Sequence, residues 1–198
     1  AYAIMKTSCF TILVGITLLC ELVHGDTPAT PFPYIVSSEN RRYCFKMVPG
    51  QWDLDGEEPK LLRKPFGVAY RISSDGDLEE QWKTEGWYAF DVFLSDDGSH
   101  LIRMGPWAWD SLHHSDLAIA FYDRGKLTKR YRVCDLIRRP EFLRHSSSHY
   151  MWGHPLPDEP GDLFEVMTYD RIQYGFNWVT GELYLPEQLP VPERENEN

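Results

Sequence analysis

FLSDDGSHLIRM, residues 93–104, reads as a strand, a tight polar turn and a second strand. Phe93, Leu101 and Met104 supply apolar side chains for a core. Asp97-Gly98 supplies the turn: a carboxylate can bond nearby backbone N–H groups, and glycine tolerates positive φ. A single hairpin says little about architecture, whereas a series of them specifies an all-β chain. The deciding question is whether the element recurs.

It does. Residues 67–72 and 78–83 flank Ser74-Asp75-Gly76, and residues 88–94 and 100–104 flank Asp96-Asp97-Gly98. Residues 117–122 and 127–133 flank Asp123-Arg124-Gly125, while residues 163–169 and 173–179 surround Asp170-Arg171. Each flank alternates or is rich in aromatic and β-branched residues, and each centre carries Asp, Gly or both. AFYDRGKLTKRY (120–131) and MTYDRIQYGFNW (167–178) share a Tyr-Asp-Arg turn. Two hairpins per unit give a four-stranded unit of roughly 45–50 residues, the size of a propeller blade.

The strand-Ser-x-Asp-Gly-strand element within residues 67–104 resembles the hairpin turns of β-propeller families of the WD40 and TolB-like kind. A closed propeller needs at least four blades, and residues 50–65 and 139–162 read as loops. The expectation is therefore an all-β fold of antiparallel hairpins, forming a meandering twisted sheet or two packed sheets, partly blade-like. One or two short helical turns accompany it, at residues 135–139 with Asp135 as N-cap and Pro140 as stop, and at 141–144. Residues 43–48 add an N-terminal strand. Trp82, Trp87, Tyr88, Phe90, Phe93, Phe121, Tyr122, Phe164, Phe176 and Trp178 offer large side chains to fill between sheets.

The beginning of the chain reads differently. Lys6 after Met5, the apolar run CFTILVGITLLC (9–20) and Val23-His24-Gly25 match a secretory signal peptide starting at Met5 and cut after Gly25, with residues 1–4 upstream of it. The run is short for a membrane span of about 20 residues, although an uncleaved anchor is the competing reading. A secreted or periplasmic protein with no membrane span after cleavage is the expectation. Proline-rich residues 26–40 read as an extended lead-in, 41–185 as one β-rich domain and 186–198 as a flexible polar tail. Cys9 and Cys20 fall in the leader, leaving Cys44 and Cys134 either to pair in an oxidising compartment or to remain buried free thiols.

A formal charge of −10 argues against nucleic acid as a partner. The one basic run, residues 124–132, interleaves with a strand pattern and reads as a solvated strand face. His113, His145 and His149 could hold zinc if their loops converged, with His154 or Asp110 nearby, but the HxxxH of His145 and His149 lacks the glutamate of HExxH. The acidic turns at 53–58 and 96–98 offer calcium-type oxygens without the EF-hand order. No GxSxG elbow and no phosphate-binding glycine loop is present. No cofactor is predicted.

GPWAWDSLHH, residues 105–114, concentrates the remaining binding chemistry. Trp107 and Trp109 could line a sugar or peptide groove with His113, and Tyr150 and Trp152 could form its opposite wall; alternatively the indoles cap an open end of the core. The sequence favours a secreted, non-catalytic binding or structural domain whose partner is a protein, peptide or carbohydrate. The alternative is a secreted metal-assisted or carboxylate-dependent hydrolase using the His113, His145 and His149 loops.

Overall fold

The computed structural model describes residues 29–56, 58–105, 116–145, 149–156 and 163–185, with Arg144 and His145 as backbone only. Three four-stranded antiparallel sheets follow one another along the chain. The N-terminal sheet holds β1 (Tyr34–Ser37), β2 (Tyr43–Val48), β5 (Phe66–Ile72) and β6 (Leu78–Glu85), in the order β1-β2-β5-β6. Between β2 and β5 the chain makes a separate hairpin of β3 (Gln51–Asp53) and β4 (Lys60–Arg63). The central sheet is an up-and-down meander of β7 (Val92–Leu94), β8 (His100–Met104), β9 (Leu117–Asp123) and β10 (Lys126–Arg132). A short helix α1 (Val133–Leu136), a 3-10 turn at Pro140–Phe142 and the small pair β11 (Arg144–His145) and β12 (Tyr150–Met151) lead to the C-terminal sheet. That sheet is another meander, of β13 (Gly153–Pro155), β14 (Leu163–Thr168), β15 (Gln173–Asn177) and β16 (Leu183–Tyr184).

The central sheet is covered on both faces, and strand periodicity divides its side chains between them. Leu101, Ala120 and Tyr122, with Val92 and Leu94, turn to the N-terminal sheet and pack with Phe45, Met47, Ala69 and Trp82. Ile102, Ile119 and Phe121 turn the other way, onto Phe164, Val166, Tyr174 and Phe176. Phe93 follows them, its ring 4.8 Å from Phe164, and Phe121 lies 5.5 Å from Phe176. Leu101 and Ile102 are adjacent in sequence and both fully buried, one in each layer. Fully burying such side chains contributes about 1.5–3 kcal/mol each.

The turn inside residues 93–104 closes the hairpin and also joins two sheets. Asp97 Oδ1 accepts the Ser95 hydroxyl and the Ser99 N–H, Ser95 Oγ accepts the His100 N–H, and Gly98 takes φ +69°. Burial would raise the Asp97 pKa, but the Ser95 and Ser99 hydrogen bonds, with His100 and Arg124 nearby, bring it below the ordinary carboxylate value. Asp96 accepts the Asn40 N–H at 2.8 Å, and its carbonyl accepts the Asn40 amide. The Gly98 carbonyl accepts the buried Trp82 indole N–H at 2.8 Å. A Cβ at Gly98 would run into the Tyr43 ring, so glycine is required here by contact as well as by φ.

The segment joining the central and C-terminal sheets is pinned by a buried carboxylate. Asp170 Oδ2 accepts the Arg138 N–H at 2.8 Å and the Arg139 N–H at 3.0 Å, and its Oδ1 accepts the Thr168 hydroxyl. Tyr174 donates its hydroxyl to the Leu136 carbonyl at 2.6 Å. The segment thereby seals the edge of the second core layer with Val133, Leu136, Ile137 and Leu143.

The fold class is the expected one, antiparallel and mostly β, with no closed barrel among the described residues. Several local expectations are corrected. Residues 34–37, read as lead-in, form β1, because Tyr34 and Val36 pair with Met47 and Phe45 and share their core face. Residues 50–65 and 139–162, read as loops, contain the β3–β4 hairpin and β11 to β13. Asp135 sits inside α1 rather than capping it: its carboxylate accepts the Arg132 backbone N–H at 2.8 Å. The Arg132 guanidinium, bonded to it at 2.9 Å, holds the Asp135 carboxyl below its usual range. Residues 88–91 lie outside any strand because Gly86, at φ +88°, turns the chain and Tyr88 bonds back to Phe32. Cys44 and Cys134 are not bridged but free, Cys44 buried on β2 and Cys134 exposed on α1.

Candidate functional site

Residues 66–70, FGVAY, alternate large and small along β5. The small residues face the central sheet: the Phe45 ring lies over Gly67 where a Cβ would stand, and Ala69 is buried beside Phe45 and Trp82. Phe66, Val68 and Tyr70 therefore point to the opposite face. In register with them, β2 contributes Val48, Lys46 and Cys44 and β6 contributes Glu85, Lys83 and Glu80, the last after a bulge at Gln81. Burial pushes the Cys44 thiol pKa up, consistent with a covered position on this face.

The β5 and β6 residues of this face line a groove of about 880 Å³ whose floor is Phe66, Val68 and Tyr70. Val68 is buried, whereas Phe66 and Tyr70 are partly buried. Arg63 and Lys64, where β4 returns to the sheet, close one end, and the Arg63 guanidinium stands 5.5 Å from the Phe66 ring centre. Along the β6 side Lys83 lies 3.1 Å from Glu80, both about half-exposed, a pair too solvated to be locked together. Thr84 also borders the groove, but its hydroxyl oxygen is already engaged, accepting the Trp87 indole N–H at 3.0 Å. An apolar strip at strand spacing, with exchangeable charges of both signs on its rim, is suited to holding a ligand.

The predicted site residues separate. Trp107, Trp109 and His113 lie outside the described residues. Tyr150 and Trp152, expected to wall a ligand surface, are buried in the core with Phe164, Val166 and Tyr174. His145 is on β11, in register with Tyr150, and His149 is buried. Among the described residues no group of three histidines, cysteines or carboxylates could hold a metal ion. The acidic turns use their oxygens locally, Asp97 as described and Asp53 by accepting the Asp55 N–H at 3.1 Å. Of the basic run 124–132, Arg124 lies in the turn and the other cations lie on β10, whose side chains are largely exposed. Among the described residues no helix is long and apolar enough to cross a membrane.

The groove escaped the sequence reading, although one signal was present. Within the expected strand 67–72, the alternation of Gly67 and Ala69 with Val68 and Tyr70 marks one face for close packing and leaves the larger side chains on the other. In comparisons with known proteins, the chain matches no family model and no curated relative.

Proposed function

We propose that this is an exported, non-catalytic binding domain that receives an extended polypeptide segment along the outer face of its N-terminal sheet. The observation that carries this reading is the Phe66–Val68–Tyr70 strip. Its side chains repeat every second residue of a strand, about 6.5–7 Å apart, and an extended peptide presents alternate side chains at the same interval. Arg63, Lys64 and Lys83, against Glu80 and Glu85, offer partners to charges of either sign on such a ligand. The four-stranded antiparallel sheets are of blade size, although the two hairpins of residues 67–104 belong to different sheets, and the apolar leader at residues 5–25 supports export.

Selection from a displayed library of random peptides tests the assignment. Enriched sequences should carry apolar residues at alternate positions. The Tyr70→Ala/Lys83→Glu variant should bind them about 10- to 100-fold more weakly while melting within a few degrees of the parent. Undiminished binding by that variant would remove the groove from consideration.

A further inference from the structure

β10 is the outer strand of the central sheet. Among the described residues it pairs only with β9, and all its residues but Tyr131 are exposed. The acids beside it are engaged elsewhere: Asp123, opposite Lys126 in the register, lies 3.4 Å from Arg124, and Asp135 bonds Arg132 at 2.9 Å. Glu182 lies near the Tyr131 hydroxyl. Lys126, Lys129 and Arg130 make no ion pair among the described residues. An open strand edge offers backbone N–H and C=O groups to a further strand, while like charges along it repel a second copy of the same strand. This edge therefore rejects another β10 and fits an acidic segment.

The chain delivers such a segment to this place. Tyr131 donates its hydroxyl to the Gly181 carbonyl at 2.9 Å, and a Cβ on Gly181 would stand 2.8 Å from that of Lys129. β16 thus starts against β10. It then advances along β15 from Phe176 toward Tyr174, whose hydroxyl bonds Leu136 in α1, so at Leu185 the chain stands toward the α1 end of β10. Residues 186–198, outside the described residues, read PEQLPVPERENEN. Pro190 and Pro192 share a parity. In a strand alternate residues direct their N–H groups to the same side, so both missing donors fall on one edge and the odd residues keep theirs on the other. The odd positions also gather Leu189, Val191, Glu193, Glu195 and Glu197 on one face, with Arg194 the one cation of the segment.

We propose that residues 188–195 of the same chain add to the open edge of β10 as an antiparallel fifth strand of the central sheet. The odd residues bond β10, and the glutamates lie beside the three unpaired cations. Stacked sheets are about 10 Å apart, which about three extended residues cross, so the chain beyond Leu185 reaches the edge by residue 188. What remains matches the 7 residues of β10 in length.

Hydrogen exchange of the full chain, read by mass spectrometry, tests the added strand. Amides of residues 188–195 should exchange at least about 10-fold more slowly than in a free peptide of the same sequence. Leu189→Pro removes a donor on the pairing side and should abolish that protection while speeding exchange along β10. Gln188→Pro, one position away on the open side, should change neither. Lys129→Glu/Arg130→Glu and Glu193→Lys/Glu195→Lys should each release the segment with melting kept within a few degrees, and the four changes together should restore protection. A segment that exchanges at the free rate in the wild type, or proline variants that act alike, overturns the proposal. So does a protected segment indifferent to the charge reversals, which would lie somewhere other than β10. Protection that rises with protein concentration from about 1 to 100 µM would assign the strand to a second copy and overturn docking within the chain.

Discussion

Leu101 and Ile102 test the three-layer architecture at its centre. Neither exposes any surface, yet Leu101 belongs to the layer shared with Phe45, Met47 and Trp82 and Ile102 to the layer shared with Phe164 and Phe176. Truncating either to alanine removes buried carbons and leaves a cavity that its rigid neighbours fill only partly, at about 2–5 kcal/mol. Taking 3 kcal/mol and a urea dependence of about 2 kcal/mol/M, each variant should unfold at a urea midpoint about 1.5 M below the parent. The tryptophans report separately on the two layers. Leu101→Ala should disturb Trp82, which packs in the first, whereas Ile102→Ala should disturb Trp152 and Trp178, which pack in the second. Fluorescence-monitored urea titrations of both variants, with each tryptophan replaced by phenylalanine in turn, make the comparison. A cost below about 1 kcal/mol for either substitution would mean that one face of the central sheet is open to solvent, and the layered arrangement would be wrong.

Three further outcomes follow from named contacts. Mapping of maleimide adducts on the native chain should show Cys134 modified quickly and Cys44 protected until unfolding, since burial both shields Cys44 and raises its thiol pKa; equal rates would contradict a covered β2. Asp97→Asn keeps an acceptor in the turn but removes its charge. Because the folded-state pKa of Asp97 is depressed, its charge stabilises the fold above the unfolded carboxylate value of about 3.9 and is lost as pH falls through the folded value. The variant should thus be less stable than the parent at pH 7 and indistinguishable from it well below the folded value. The gap is small because the side chain is largely solvated, and an equal gap at both pH values would refute the charge assignment. Asp170→Ala strands the partly buried Arg138 and Arg139 N–H groups and should cost about 1–3 kcal/mol in urea unfolding, with faster hydrogen exchange at those two amides; unchanged exchange would show that the carboxylate does not hold them.

The strand series was legible because turn chemistry and period-two alternation agree where the hairpins are local. Residues 43–48 and 78–83 and the two Tyr-Asp-Arg hairpins fall on strands for that reason. What the sequence concealed depends on distant partners. Val36 becomes a core residue only because Phe45 stands beside it in the register, which no local pattern of residues 34–37 reveals. Tyr150 and Trp152 look like binding residues beside histidines, but the sheet that buries them begins only at Gly153. Cys44 and Cys134 were compatible with a bridge as composition. Their placement on different elements, one covered and one exposed, is a property of the sheet stack.

The division of β5 into a small face and a large face links architecture to the proposed site. Gly67 and Ala69 admit Phe45 and Trp82 between the first two sheets, so bulky substitutions there would force the layers apart. That requirement leaves Phe66, Val68 and Tyr70 on the outer face, where they form a strip that the three-sheet core does not cover. The central sheet has both faces committed to packing and is poorly placed to offer a broad ligand surface. Among the described residues, the N-terminal sheet combines an apolar outer strip with a hairpin whose own apolar groups are exposed. Gly67→Val and Tyr70→Ala should consequently act through different links: the first by unseating Phe45 and lowering stability, the second by weakening ligand retention on a fold that remains intact.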